Sequence, residues 1–287
     1  MNRLTNLQTV FNNHFLDSRQ NTFPIMVFCK ALVLYTIIKI MLLWNVSSNI
    51  ISLQEFVPSP SLIISTLFFP AQWATEHIFI FYSICIAVLI IILFVRWNHV
   101  SGIVFFFLVL NLFRVNVSIA NGSDYVLIML SFWAIGMAFW PILENKKWNT
   151  LLILFFNAAV FLCQLQIAFI YLVSGIDKLK SEIWRSGDAI SYIAHLDFFY
   201  NPNIALPDNH FLNLTLSWIT IVFELAFPIL IWMKKTRLVM LSIGVIFHLV
   251  IWFVLSIPDF GLMMIVSYLI FMKDSDFKRV KGMKLQS

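Results

Sequence analysis

One charged segment that carries a tryptophan interrupts a chain whose remaining sequence is almost entirely apolar. It holds the amine of Lys178 directly after Asp177, at the end of a long apolar run, and Trp184 follows six residues later. An amine at the edge of an apolar cavity can lose its proton by desolvation and act as a base. We therefore predict that Lys178 is the catalytic base or an anchoring amine. The structural alternative is a snorkelling lysine that pairs with Asp177 or Glu182.

The residues around Lys178 are predicted to form the mouth of a substrate or cofactor site. Trp184 and Arg185 are expected to shape its opening. The full set of predicted mouth residues is Gly175, Asp177, Trp184, Arg185 and Gly187.

Two further titratable residues, Glu224 and His248, lie near the centres of apolar segments. Glu224 comes 12 residues before Thr236, the centre of a polar turn, and His248 comes 12 residues after it. Two antiparallel helices that rise about 1.5 Å per residue would bring both to the same depth, roughly 18 Å from the turn. If the helix rotations agree, the pair is either a polar clip between helices or a catalytic pair that relays protons.

Other charges at membrane depth are predicted to form structural ion pairs, because each charge in lipid costs at least about 2.5–3.5 kcal/mol. Arg114 could be reached by Asp124, and Lys39 is expected to pair with Glu224 or Glu76. No histidine or cysteine pair has the short fixed spacing of a zinc site, so no metal is predicted.

The composition indicates that the solvent of this protein is lipid. Of the 287 residues, 61% are hydrophobic and 11% are charged, whereas soluble domains are about one-quarter charged. No soluble fold of this size could bury so much apolar surface, so the lipid bilayer is the predicted partner. The chain has no basic stripe interleaved with aromatic residues, which argues against a nucleic-acid partner.

Apolar runs long enough to cross a bilayer recur along the whole chain. We predict an all-α polytopic transmembrane helix bundle over residues 24–272, after a cytoplasmic segment 1–23 and before a basic cytoplasmic tail 273–287. A short interfacial helix over Ser186 to Tyr200 is predicted within the outside loop 175–211. About eight spans are predicted, at residues 24–44, 77–95, 100–119, 124–143, 150–174, 212–233, 238–256 and 258–272.

The distribution of charge predicts the orientation. With both termini inside, most Lys and Arg residues fall in inside segments and most acids fall in outside loops, as the positive-inside rule requires. The first 23 residues contain no apolar h-region, so the first span is expected to remain as a helix. The predicted location is the cell inner (plasma) membrane, with both termini cytoplasmic.

Several short motifs resemble the horizontally transferred transmembrane (HTTM) domain family, which includes vitamin K-dependent gamma-carboxylase. The resemblance covers roughly residues 20–272. The main motif is Ser174-Gly175-Ile-Asp-Lys178-Leu179 followed by Trp184-x-x-Gly187. The further matches are Asn121-Gly-Ser-Asp124, Glu224-Leu-Ala-Phe-Pro228, Phe247-His248 and Phe260-Gly261.

This resemblance implies that Lys178 matches the active-site base of the carboxylases. In those enzymes the base helps to deprotonate reduced vitamin K, and the oxygenated cofactor then removes a proton from a peptide glutamate. Reduced vitamin K or menaquinone is therefore the cofactor that the resemblance implies. In length the chain is more similar to the sporulation-delaying protein B group, whose members help to mature or export a secreted antimicrobial peptide.

The sequence is compatible with three functions. The first is modification or maturation of a secreted peptide at a site open to the outer face; if this protein is an enzyme, the resemblance implies a carboxylase-like lyase acting on peptide glutamate. The second is a non-enzymatic accessory role in antimicrobial peptide export or production. The third is proton-coupled transport through Glu224 and His248, although the sequence lacks an inverted repeat and paired broken helices.

Overall fold

The computed structural model describes residues 22–44, 71–139, 150–196, 201 and 209–280, and the regular elements in those ranges are all helical. The all-α prediction is therefore confirmed for the described chain. The helices are α1 (Thr22–Trp44), α2 (Ala71–Glu76), α3 (Ile78–Phe94), α4 (His99–Val115), α5 (Gly122–Met137), α6 (Thr150–Lys180), α7 (Glu182–Ser186), α8 (Asp188–His195), α9 (His210–Leu230), α10 (Arg237–Val254), α11 (Pro258–Ser267) and α12 (Asp274–Val280). Short 3₁₀ turns lie at Val117–Ile119 and Tyr268–Phe271.

Apolar helices follow one another in the order of the predicted spans. In the described ranges, α1, α6, α9 and α10 are long and apolar enough to cross a membrane. The apolar helices α3, α4 and α5 and the segment Pro258–Phe271 are shorter. Large apolar side chains such as Ile91, Phe94 and Ile246 are exposed on the surface of the protein. So large an exposed apolar surface is unfavourable in water. The chain is therefore an integral membrane protein in contact with lipid.

Two predicted boundaries differ from the structure near the charged segment. The span 150–174 continues as α6 to Lys180, so Lys178 lies on a helix and not in a loop. The predicted helix from Ser186 to Tyr200 corresponds to α8, which begins at Asp188. A separate short helix, α7, precedes it, and Gly187 joins the two in a left-handed conformation with φ of 88°. Tyr200 lies outside the described residues, as do residues 45–70, between the first two predicted spans, and 140–143 of the fourth predicted span.

The described contacts divide the chain into two compact units, Met1–Cys163 with Met272–Ser287, and Gln164–Phe271. The first unit contains α1 to α5, the first part of α6 and α12. In it, α1 packs along α3, and α4 pairs with α5. A Cβ added at Gly102 would lie 3.1 Å from the Cβ of Ala138, so glycine permits the close approach of α4 and α5. The amine of Lys30 donates to the carbonyls of Ile92 and Val95, at the end of α3, where orphan carbonyls attract a cation.

A buried ion pair joins α1 to the start of α5 within the first unit. Lys39 Nζ lies 2.9 Å from Asp124 Oδ1 and donates to Ser123 Oγ at 2.7 Å. The other carboxylate oxygen of Asp124 accepts the backbone N–H of Asn121 and so caps α5. The structure thus brings to Lys39 the carboxylate of Asp124, which the sequence predicts to reach Arg114. The reason is the helix cap, which fixes the Asp124 carboxylate at the depth of Lys39.

The second unit contains α7 to α11 and the part of α6 from Gln164 onwards. Its closest helix pair is α10 with α11. A Cβ at Gly261 would lie 2.7 Å from the carbonyl oxygen of His248, so this glycine lets α11 lie directly on α10. The amide of Gln164 donates to the Ile270 carbonyl at 2.8 Å and ties α6 to the 3₁₀ turn after α11. The short helices α7 and α8 both pack on α9.

We expect Lys39→Met to lower the free energy of unfolding by about 3–5 kcal/mol, because it leaves the buried Asp124 carboxylate without its cation. Adding Asp124→Asn should recover most of this loss, since the amide oxygen can still cap Asn121. Thermal unfolding in detergent can be followed with a thiol-reactive dye, because Cys29 and Cys85 are free and buried in the same unit. A single variant as stable as the double variant would contradict this prediction.

Candidate functional site

Lys178 lies in the last turn of α6 and points to α9. Its Nζ donates to both carboxylate oxygens of Glu224 at 2.9 Å and to Ser174 Oγ at 2.5 Å. The Lys178 side chain is 18% exposed and that of Glu224 is 8% exposed. The Lys178 amine therefore bridges the Ser174 hydroxyl and the Glu224 carboxylate. We call Ser174, Lys178 and Glu224 the Ser–Lys–Glu cluster.

The local sequence explains how these three groups meet. Ser174 and Lys178 are four residues apart on α6, so they lie on the same face of the helix. A Cβ at Gly175 would lie 3.0 Å from the Leu225 side chain and 3.1 Å from Glu224 Cβ. Glycine at this position therefore allows α9 to approach the face of α6 that carries Lys178. Both Gly175 and Glu224 are buried.

Two of the predicted mouth residues form a cover over the amine. The Trp184 ring lies with its centroid 4.9 Å from Lys178 Nζ, a cation–π contact. The Trp184 carbonyl accepts a hydrogen bond of 2.5 Å from Ser217 Oγ on α9. Gly187 then passes so close to α9 that a Cβ would lie 2.7 Å from the backbone of Leu214. We call α7 and α8 the cover.

The other two mouth residues, Asp177 and Arg185, have exposed side chains at the edge of this arrangement. Glu182 is also exposed, and Lys178 pairs with Glu224 instead of with Asp177 or Glu182. The snorkelling alternative therefore named the wrong partners. The reason is geometric: α6 continues as a helix through Lys178, which directs the amine sideways to α9 and away from the loop.

His248 belongs to a second polar group of the same unit. Its Nε2 is 2.6 Å from the Tyr171 hydroxyl, which is 2.5 Å from the Tyr268 hydroxyl. His248 is 1% exposed, and its Nδ1 is buried without a hydrogen-bond partner in the described chain. Gly244 makes room for this group, because a Cβ there would collide with the Tyr268 hydroxyl. We call Tyr171, His248 and Tyr268 the tyrosine–histidine group.

Within the described ranges, no hydrogen bond or ion pair joins Glu224 to His248, although their helices meet at the predicted depth. Phe223 and Phe247, one residue before each, have ring centroids 4.9 Å apart. The two helices therefore meet at the expected depth. Their rotations direct the carboxylate to α6 and the imidazole to Tyr171 and α11, so the predicted pair is split.

The three residues predicted to form structural ion pairs, Lys39, Arg114 and Asp124, lie in the first unit. Lys39 and Asp124 form the ion pair of the first unit. Arg114 is half-buried in the last turn of α4. The sequence analysis assigned no functional role to Ser174, Tyr171 or Tyr268. Tyr171, Ser174 and Lys178 follow the three- and four-residue spacing of one helix face. That spacing is the signal that could have indicated roles for Tyr171 and Ser174.

The chemical capacity of the Ser–Lys–Glu cluster follows from its partial burial. A hydroxyl, an amine and a carboxylate within hydrogen-bond distance can exchange protons, and a low local dielectric strengthens every charge interaction among them. The tyrosine–histidine group can also pass a proton along its hydrogen bonds. Tyr171 precedes Ser174 by about 4.5 Å and Lys178 by about 10 Å along the axis of α6.

Comparison with known proteins gives one weak similarity. The chain is 25% identical over 173 aligned positions to sporulation-delaying protein SdpB of Bacillus subtilis (strain 168), which covers 53% of this chain and 51% of that protein. The chain thus spans about half the length of this curated relative, and the similarity supports a relation to SdpB-like proteins. No family model and no solved structure matches the chain.

We expect Tyr171→Phe to lower the free energy of unfolding by about 1–3 kcal/mol, because His248 Nε2 and the Tyr268 hydroxyl lose their shared buried partner. Tyr192→Phe is the matched control, since the Tyr192 side chain is exposed. Circular dichroism during thermal unfolding in detergent measures the difference. Equal unfolding temperatures for the two variants would show that the hydroxyl of Tyr171 adds no net stability.

Proposed function

We propose that this chain is a multi-pass membrane protein that helps to produce a secreted peptide, and that the Ser–Lys–Glu cluster is its reactive site. The similarity to SdpB and the membrane-spanning helices support the general role. The observation that carries the site assignment is the pairing of Lys178 with Glu224 beneath Trp184. Such a pair is expensive to place at membrane depth, and ionisable groups there are commonly functional.

In this proposal most of the predicted catalytic and mouth residues have a defined role. Lys178 is the base or the anchoring amine, and Glu224 accepts or returns its proton. His248 acts indirectly, through Tyr171 on the same face of α6. Trp184 and Arg185 shape the opening, whereas Gly175 and Gly187 bring α6 and the cover against α9.

We also propose the finer topology that the charge distribution favours. The eight apolar helices all cross the inner (plasma) membrane within residues 24–272, with both termini cytoplasmic and the cover on the outer face. The motif around Lys178 favours an HTTM-type bundle. A site at the outer face would meet a peptide as it leaves the cell.

The observed contacts bear differently on two alternative functions, a carboxylase-like reaction and proton-coupled transport. A carboxylase-like reaction remains compatible with Lys178 as a base, because its amine is held at the end of an apolar helix. Proton-coupled transport through Glu224 and His248 receives no support, since the described contacts place these residues in separate groups. A non-enzymatic accessory role requires that the chemistry of Lys178 be dispensable, which the following experiment decides.

We expect Lys178→Ala to reduce the amount of modified or mature secreted peptide by about 10²–10⁴-fold, the usual contribution of a positioned acid–base group. Mass spectrometry of peptides secreted by cells with and without the variant gives the measurement. Lys180→Ala is the control, because Lys180 is exposed on the same helix end. Full peptide production by a Lys178→Ala protein that accumulates normally in the membrane would refute the proposed site.

We expect Lys180→Cys and Arg185→Cys to react with a membrane-impermeant maleimide in intact cells, because both side chains are exposed at the proposed outer face. Lys234→Cys should react only after the membrane is permeabilised. The native cysteines give little background because all three are buried. The reverse labelling pattern would invert the proposed topology.

A further inference from the structure

We propose that Ser174 is a nucleophile and that the site acts by acyl transfer on a peptide carbonyl. This inference rests on the proposed function, since it names the reaction of the same site. A serine hydroxyl is a weak nucleophile until an adjacent base removes its proton. Ser174 has both the adjacent base and a group that orients that base.

The geometry matches the arrangement of a nucleophile, a base and an orienting group. Ser174 Oγ is 2.5 Å from Lys178 Nζ, and Glu224 holds the same Nζ with both carboxylate oxygens at 2.9 Å. Serine–lysine pairs serve this purpose on unrelated folds. The bidentate carboxylate removes the rotational freedom that a lysine amine would otherwise have, so Nζ stays directed at Oγ.

The behaviour of other helical hydroxyls indicates that the contacts of Ser174 are unusual. Thr36, Ser83 and Thr220 each donate to the carbonyl of the residue four positions earlier. This is the ordinary way to satisfy a hydroxyl inside a helix. Ser174 Oγ instead accepts from the amine of Lys178, and Ser174 remains partly exposed.

The first unit offers a natural comparison with the same three types of group. There, Lys39 donates to Ser123 Oγ and pairs with Asp124, but Ser123 is fully buried. No substrate carbonyl can reach a hydroxyl in that position. A Ser123 variant therefore shows the effect of removing a serine beside a buried ion pair. A Ser174 variant shows, in addition, the effect of removing the proposed nucleophile.

The reaction balances with the groups of the cluster and one water. Lys178 passes a proton to Glu224 and accepts the Ser174 proton as Oγ attacks the carbonyl carbon. The carbon–nitrogen bond then breaks, and the proton held by Glu224 returns through Lys178 to the departing amine. Water hydrolyses the resulting ester, which restores the Ser174 hydroxyl and releases the carboxyl fragment.

We test the inference with Ser174→Ala and Ser123→Ala in the full chain in native membranes. Ser174→Ala should lower the yield of cleaved peptide by at least about 100-fold, whereas Ser123→Ala should leave it unchanged. The secreted product should be a shorter peptide whose new end is a free carboxylate or amine. Incubation with a serine-directed β-lactone probe should place one adduct on Ser174, and Lys178→Ala should prevent that adduct.

Each contrary result identifies what has failed. Normal cleavage by Ser174→Ala, or no adduct on Ser174 in the unaltered protein, overturns the nucleophile while the proposed function stands if Lys178→Ala is inactive. A full-length peptide that gains one carboxyl group also overturns acyl transfer. Normal peptide production by Lys178→Ala overturns the proposed function together with this inference.

Discussion

A lysine held against a carboxylate is the interaction on which each compact unit depends. An unpaired charge at membrane depth has a high free-energy cost, so packing of the helices requires that the lysine and the carboxylate pair. Lys39 and Asp124 connect α1 with α5, and Lys178 and Glu224 connect α6 with α9. These bonds join segments far apart in sequence and so specify which helices become neighbours.

The two ion pairs differ in how completely their surroundings enclose them. Asp124 divides its oxygens between Lys39 and the cap of α5, which leaves the group satisfied and sealed. Lys178 lies at a helix end and shares its donors with Ser174 and Glu224 beneath an aromatic ring. The first arrangement fixes structure. The second holds three polar groups together and leaves Lys178 partly exposed.

The sequence predicted the depth of Glu224 and His248 in the bundle but not their hydrogen-bond partners. Helical rise alone placed Glu224 and His248 at equal depth, whereas rotation about each helix axis, which depends on packing, gave them different partners. Lys178 was expected beyond the end of a span because hydropathy falls there, yet α6 continues for nearly two more turns, to Lys180. Ser174 and Tyr171 resembled ordinary residues of an apolar helix, since a single hydroxyl hardly changes hydropathy.

Contacts between the cover and α9 define the edge at which, in the proposed function, a substrate meets Lys178. Ser217 holds the Trp184 carbonyl, and Gly187 lies directly on the α9 backbone near Leu214. The Trp184 ring is thus placed beside Lys178 by backbone contacts with α9. In the proposed function a substrate meets Lys178 beside the exposed Arg185, so the charge and shape of this edge become a criterion of selection before any chemistry begins.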